Sequence, residues 1–265
     1  MTQVGINNAQ IVRIFLIVVS ALLLYQMVFA EDASLHSTKR QFRKPKIQKR
    51  PTQNSVMADQ YLKSIASRRT IYTFDGTSTI SDTRVQKIVG ECLKHTPSAF
   101  NTQSSRVIVL YQQQHHRLWE LVADSIRDDM GEQGLENFKS RLAGYRSAYG
   151  TILFWEDDGA VELFKVKNPS YPFDQWCEHT SGMLQANVWT ALELEGLGAN
   201  LQHYGVMSGF EDKVRKEWNI PAAWRMKAQM PFGKPASGPK EKLQQPLNGV
   251  RLLAYGGSAD IAPQS

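Results

Sequence analysis

From Asp59 onward the apolar positions fall at helical spacing: Tyr61, Leu62, Ile65 and Ala66 predict an amphipathic helix that Ser67-Arg68-Arg69-Thr70 brings to an end. Ser81-Asp82 is a cap signal ahead of Val85, Ile88, Val89, Cys92 and Leu93, a single stripe on a second helix. Pro97 cannot continue that helix, and the turn formers up to Ser105 lead into a β-branched run ending at Val107–Tyr111. Leu118, Trp119, Leu121, Val122 and Ile126 predict a third helix, followed by a polar stretch from Gly131 to Gly150 that reads as helical in part. Thr151 to Trp155 is an uninterrupted apolar run, which predicts a strand covered on both faces. Glu156 to Tyr171 breaks the pattern with Asp157-Asp158-Gly159 and Pro169, as an excursion over the surface would. The longest apolar helix spans about Asp174 to Glu195 and is hydrophobic nearly all round, so it is expected to be buried within the domain or across a subunit interface. It stops at Gly196-Leu-Gly198. Phe210–Trp218 predicts one more helix and Trp224–Pro231 a strand, then a Pro/Gly loop carries Lys234, Lys240 and Lys242. The tail, Val250 to Ala254, is apolar enough to pack on something.

The N-terminal part follows different rules. Ile14 to Ala30 is almost pure hydrocarbon, interrupted by Ser20, Tyr25 and Gln26, and sits at the short end of the roughly 17–25 residues of a spanning helix. Residues 1–30 allow three readings: a membrane anchor, a signal peptide cleaved after Val28-Phe29-Ala30, or an extension dispensable to the functional protein. Arg13 precedes the run while Lys39, Arg40, Arg43, Lys44, Lys46, Lys49 and Arg50 follow it, so an anchor would keep the following domain in the cytosol. Residues 31–56 read as a basic, disordered linker, and 57–265 as the domain.

Charge changes the picture once it is divided along the chain. The formal net charge is +6, and residues 1–56 account for all of it; the remainder holds 23 basic and 23 acidic residues. A nucleic-acid groove needs a clustered excess of cations, and the body of the chain has none, so no nucleic-acid partner is expected. Cys92 and Cys177 lie far apart without metal-ligand spacing, which favours buried free thiols over a disulfide or a metal site.

Two stretches carry candidate chemistry. Ser98, Asn101, Gln103, Ser104 and Ser105 gather amides and hydroxyls at a helix-to-strand junction, a polar rim suited to a planar, hydrogen-bonding ligand as well as to an ordinary loop. Arg68-Arg69 closes a helix, either as a solvated terminus matched to the dipole or as a bidentate phosphate clamp. A lone His203 is more often structural than catalytic. Gly196-x-Gly198 does not make a dinucleotide fingerprint, because Leu201 stands in place of the third glycine and a helix precedes it. Neither a nucleophile elbow, a phosphate loop nor a zinc-protease motif is present, and no catalytic side chain is nominated.

Four segments in this order resemble the nitroreductase superfamily of FMN-dependent oxidoreductases, and within it the fungal branch known in yeast for the fatty-acid-repression-mutant and bacterial-nitroreductase-homologue proteins. They are Arg68-Arg69-Thr70, Pro97-Ser-Ala-Phe-Asn-Thr-Gln103, Trp189 through Tyr204, and Pro239-Lys-Glu-Lys242. The resemblance covers residues 59–255 and implies an α+β fold, a central mixed or antiparallel sheet flanked by helices, working as an intertwined homodimer with FMN at the interface. It implies that Arg68, Arg69 and Thr70 hold the phosphate and ribityl chain, with Lys240 and Lys242 adding charge. It places Ser98, Ala99, Phe100, Asn101 and Gln103 of the other protomer along the isoalloxazine, and Leu201, Gln202 and His203 at its reactive edge. Tyr72 departs from many bacterial members, which carry a basic residue there. The implied activity is NAD(P)H-driven reduction of nitroaromatic, quinone or similar electron-poor acceptors in the cytosol, within an oxidative-stress or lipid-linked redox response. The nucleus and a cytosol-facing membrane tether are the alternative locations. A second reading, prompted by Ile14–Ala30, is a membrane-tethered flavin-binding regulator with little turnover.

Overall fold

The computed structural model describes residues 54–247, 250–253 and 255. The apolar segment Ile14–Ala30, most of the basic linker and the end of the tail lie outside the described residues. Among the described residues, no helix is long and apolar enough to cross a membrane.

The described chain runs α1 (Asn54–Ser67), α2 (Asp82–His95), a 3-10 turn at Ala99–Asn101, β1 (Ser105–Tyr111), α3 (Gln112–Arg146), β2 (Gly150–Asp157), α4 (Asp158–Lys167) and α5 (Phe173–Leu194). It continues through β3 (Gly198–Ala199), a second 3-10 turn at Tyr204–Val206, α6 (Phe210–Trp218) and β4 (Trp224–Gly233). The strands form a four-stranded sheet in the order β1-β2-β4-β3, every neighbouring pair antiparallel. A single parallel bridge, Thr70 to Ala199, adds the segment after α1 to the β3 edge. The expected α+β class with an antiparallel sheet is what the chain adopts.

Both faces of the sheet are covered. Leu153 and Trp155 of β2 pack into one core with Leu118, Trp119 and Val122 of α3 and Phe210 and Val214 of α6. Ile152 and Phe154 point the other way, into a second core with Val85 and Val89 of α2 and Leu184 and Val188 of α5. Side chains alternate across a strand, so helices on both sides require the unbroken apolar run that β2 shows. Ser81 caps α2, its side chain accepting from the Arg84 N–H at 3.2 Å.

Four elements differ from the sequence expectation. Helix α1 begins at Asn54, inside the stretch read as linker, and its apolar stripe is not covered by the described residues: Tyr61, Leu62 and Ile65 are all exposed. The stripe guarantees an apolar face but does not say what covers it. Helix α4 occupies the middle of the expected surface excursion, because Asp157 accepts from the Gly159 and Ala160 N–H groups and caps it where the triplet reads as a turn. Helix α3 is longer than predicted and carries a break at Gly131 (φ 69, ψ −175). Helix α5 is not buried all round within one copy: it buries Leu184, Val188 and Leu192 in the sheet core and Phe173 against Val161 of α4, and leaves Met183 and Leu194 exposed.

Candidate functional site

The β3 edge is where the candidate residues converge. The Ile71 N–H donates to the Ala199 carbonyl at 3.0 Å, so the chain after Arg69 lies along β3 and its continuation. Gly198 permits this approach, since a Cβ there would come within 2.7 Å of the Ile71 side chain. Fully buried Asn200 ties the two segments together: its amide donates to the Ile71 carbonyl at 2.6 Å, and its Oδ1 accepts from Gln202 Nε2 at 2.7 Å. Gln202 exchanges both backbone hydrogen bonds with Gln229 of β4, at 2.7 and 2.9 Å. The buried Gln229 side chain accepts from the Tyr204 N–H at 2.8 Å. Because backbone groups alternate in direction along an extended chain, Gln202 faces β4 while Leu201 and His203 present their N–H and C=O groups to the outside of the sheet.

Leu201 and Gln202 border a cleft of about 610 Å³ whose other walls are Tyr72, Thr73, Ser140, Arg141, Gly144, Tyr145 and Lys240. Gly144 lets the second half of α3 close on this cleft, because a Cβ there would sit 2.8 Å from the Tyr72 carbonyl. None of the lining residues is acidic, while Arg141 and Lys240 are cationic, and neither forms an ion pair among the described residues. The Lys240 ammonium lies over the Tyr72 ring, 5.5 Å from its centre. Arg69 is held beside it, donating through its guanidinium to the Lys240 carbonyl and through its backbone N–H to Glu193 at 3.3 Å. Positive charge thus reaches this cleft at Tyr72 from Lys240 and Arg141 instead of from position 72 itself. Burial pushes the Tyr145 phenol upward, and Tyr204 more so, which keeps the phenols behind the cleft neutral.

The remaining candidates lie elsewhere. The Arg68 guanidinium sits over the Trp189 ring, 4.3 Å from its centre, and the buried Trp189 Nε1 has no hydrogen-bond partner among the described residues. Thr70 forms the parallel bridge to Ala199. His203 and Lys242 are exposed and do not line the cleft.

The Ser98–Gln103 loop occupies a different part of the chain. Pro97, Ser98, Ala99 and Phe100 face Trp176, His179, Thr180 and Met183 of α5 across a cleft of about 390 Å³. The exposed Phe100 ring stacks near-parallel on Trp176, with centroids 6.0 Å apart. Phe100, Asn101 and Gln103 have φ of 54, 57 and 48, left-handed conformations that cost non-glycine residues about 1–3 kcal/mol each. Along α5, the rise from Thr180 at this loop to Glu193 at Arg69 is about 20 Å. One copy of the chain therefore brings Arg69, Lys240, Leu201 and Gln202 together and keeps Ser98, Ala99, Phe100, Asn101 and Gln103 apart from them.

Arg141, Gly144 and Tyr145 of the cleft wall, and the buried connectors Asn200 and Gln229 behind it, carry no signal in the sequence. A buried Asn or Gln looks like any surface amide in a sequence, and Arg141 sits in a stretch without apolar period.

The β3 side of the antiparallel sheet thus borders a cleft whose charged lining residues are Arg141 and Lys240. The chain belongs to the nitroreductase family, whose sequence profile matches residues 65–234, and it is an enzyme of that flavin-binding oxidoreductase family. Two Saccharomyces cerevisiae relatives, HBN1 and the nitroreductase FRM2, are 37% and 35% identical over 188 residues, 69% of this chain and 91% of each relative. Nitroreductase CinD from Lactococcus lactis, solved with nicotinic acid, superposes with a TM-score of 0.67 at 34% identity, covering 74% of this chain and all of its own. CinD has also been solved with 4-nitrophenol, with a TM-score of 0.66. A Desulfovibrio desulfuricans protein solved in complex with FMN shares the fold at 19% identity and a TM-score of 0.55, over 73% of this chain and 96% of its own.

Proposed function

We propose that this chain is a homodimeric, FMN-loaded oxidoreductase that takes electrons from NAD(P)H and passes them to small electron-poor acceptors such as nitroaromatics or quinones. The observation that carries the reading is the cationic cleft at the β3 edge, where Arg141 and Lys240 stand in a lining without a carboxylate and Arg69 contacts the Lys240 backbone from outside that lining. Its volume of about 610 Å³ lies within the range of roughly 300–1,000 Å³ usual for cofactor-sized ligands. FMN fits this donor set: a dianionic phosphate needs guanidinium and ammonium partners, and a flavin edge needs backbone donors and acceptors. When bound, the flavin supplies the hydride chemistry.

The chain's own residues bind, orient and shield. Arg69 and Lys240 hold the phosphate, with Arg141 adding charge on the wall. Thr73, on the cleft wall, would meet the ribityl hydroxyls. Leu201 would offer backbone groups to the ring edge, in a position fixed by the Gln202–Gln229 pairing beside it. No side chain is required to act as nucleophile or base, in keeping with a cofactor that carries the reaction.

Dimerisation joins the two separated sets of residues. The exposed stripe of α1 and the exposed Met183 and Leu194 of α5 form apolar surface that a second copy would cover. The Ser98–Gln103 loop of that copy would then line the flavin of the first. The working location is the cytosol, and Ile14–Ala30 would at most tether the domain there. FMN bound by the D. desulfuricans protein and 4-nitrophenol bound by CinD agree with the cofactor and with the acceptor class.

The test is the visible spectrum of the purified full chain. A yellow protein that NADH or NADPH bleaches, and that 4-nitroquinoline oxide recolours, is the expected result. A colourless protein that takes up no FMN would overturn the cofactor assignment, and a yellow one that neither nucleotide bleaches would overturn the reductase.

A further inference from the structure

Among the described residues, Glu156 is the only carboxylate buried completely. It lies at the end of β2, and each of its oxygens is engaged by a different serine. Ser104 Oγ donates to Oε2 at 2.6 Å, and Ser105 Oγ donates to Oε1 at 2.5 Å. These two serines are the exit of the Ser98–Gln103 loop into β1. Burial raises the Glu156 carboxyl, while the two serine bonds and nearby Lys227 oppose the shift. Lys227 is itself nearly buried and pairs with Glu178 of α5.

The next residue grips the same stretch. The Asp157 N–H donates to the Ser104 carbonyl at 2.9 Å. Its carboxylate pairs with Arg106 at 2.8 Å, and Arg106 donates in turn to the Gln103 carbonyl at 2.8 Å. Residues 103–106 are thus fixed by 156–157, and the Gln103 N–H closes the loop on Ser98 Oγ at 3.0 Å. Inside that closure lie the three left-handed residues Phe100, Asn101 and Gln103. Such conformations persist only where the surroundings over-determine them.

A buried carboxylate is a poor way to stabilise a core, since an apolar residue of the same size commonly does as well or better. Here its two oxygens meet two hydroxyls at the base of a strained loop, in a position where a wrong register would move the loop tip.

We propose that Glu156 is a positioning residue for catalysis: by holding Ser104 and Ser105 it sets the shape of the Ser98–Gln103 loop and, through that loop, the seating of the reacting ring in the neighbouring subunit's site. This rests on the reading above that the loop lines the flavin. Glu156 touches neither cofactor nor substrate.

The test compares Glu156→Ala, Glu156→Gln, Ser104→Ala and Ser105→Ala in the full, FMN-loaded chain. FMN affinity is expected to stay within about threefold of the parent, since the phosphate contacts lie on another segment. Turnover per bound flavin with NADH and 4-nitroquinoline oxide should fall about tenfold or more in Glu156→Ala, with a changed visible circular dichroism of the bound flavin. Glu156→Gln should recover most of the loss, because an amide can bond both serines once one hydroxyl reverses. The two serine variants should fall between, and they decide the matter if Glu156→Ala does not fold. A merely structural role would lower the melting temperature and flavin occupancy while leaving turnover per bound flavin unchanged, and that result would overturn the proposal. Should the parent chain bind no FMN, the cofactor reading fails separately. Loop anchoring is then read from amide hydrogen exchange over residues 98–106, which must quicken about tenfold or more in the variants, and unchanged exchange sinks it.

Discussion

The Arg68 guanidinium rests on the Trp189 ring at 4.3 Å, whereas its neighbour Arg69 reaches the Lys240 carbonyl at the rim of the cationic cleft. The two guanidinium groups meet different partners, so a pair that looks redundant in the sequence divides into two tasks. Arg69→Ala should remove a charge-assisted phosphate contact of roughly 1.5–3 kcal/mol. At about 1.4 kcal/mol per decade, FMN affinity should fall some tenfold to a hundredfold. Riboflavin, which lacks the phosphate, should bind both proteins alike in a fluorescence titration. Arg68→Ala should instead act mainly on stability, by about 0.5–2 kcal/mol of cation–π energy. Equal FMN losses from the two variants would contradict this division.

Asn200 joins the Arg69 segment to the Leu201–Gln202 segment through one buried and one partly buried hydrogen bond. Asn200→Ala should strand the Ile71 carbonyl and the Gln202 amide. The expected cost is about 1–3 kcal/mol for each buried group left unpaired. Urea denaturation should register the lost stability, and FMN titration a weakened site, in the same variant. Asn200→Ala melting with the parent would mean that water replaces both bonds.

His115 predicts a pH dependence. It is fully buried between Thr151 Oγ1 at 2.8 Å and the Arg146 carbonyl at 3.2 Å, and burial, ahead of its neighbours, lowers its pKa to about 4. The neutral ring satisfies both partners, Nε2–H donating to the carbonyl and Nδ1 accepting from the hydroxyl, and burial disfavours the charged form. The unfolded chain protonates its histidine near 6.5, so the unfolded state holds the extra proton between the two values. Stability should be intact above pH 6.5 and decline as pH falls towards 4, by up to about 3 kcal/mol. Thermal melts from pH 7.5 to 4 should show this slope, and His115→Gln should flatten it. A parallel slope in the variant would assign the effect to other groups.

Helix α1 supplies the oligomerisation test. Tyr61 is 62% exposed and Leu62 is 59% exposed, on a helix whose only buried side chain in the described range is Ser64. Leu62→Asp should leave a folded monomer with little bound flavin by analytical ultracentrifugation. Trp189→Ala should remove a buried ring worth about 3–5 kcal/mol and give the same loss of flavin. A flavin-loaded monomer in either case would argue that one copy completes the site.

Much of this architecture is legible in the sequence, and the reasons are specific. Thr151 to Trp155 reads as a covered strand because both faces of β2 must be apolar, and Ser81 reads as a cap because its hydroxyl has one obvious donor to satisfy. Arg69, Leu201, Gln202 and Lys240 could be named because they sit in segments that resemble a known family. What could not be read depends on long-range partners. Asn200 and Gln229 became buried connectors only once β3 and β4 were paired. Glu156, at the end of an apolar run, looked like the start of a loop and proved to be the last buried residue of the strand. The break in α3 was also hidden, since a single glycine in a polar helix is compatible with an unbroken one.

That break has a geometric consequence. Run straight, the 35 residues of α3 would span about 52 Å, three times the radius of gyration of about 16 Å expected for a domain of some 200 residues. At Gly131 the φ of 69 and ψ of −175 lie in a region open essentially to glycine alone, and a Cβ there would meet nothing within 4 Å. Its whole role is therefore in the backbone. The helix is kinked at this point, upstream of Arg141, Gly144 and Tyr145 on the cleft wall, so that wall stands at an angle set by one pair of torsions. An alanine at 131 would cause no clash and would still favour a straightened helix, swinging that wall as a lever. The width of the cleft is thus inherited from a residue that none of its ligands would ever touch.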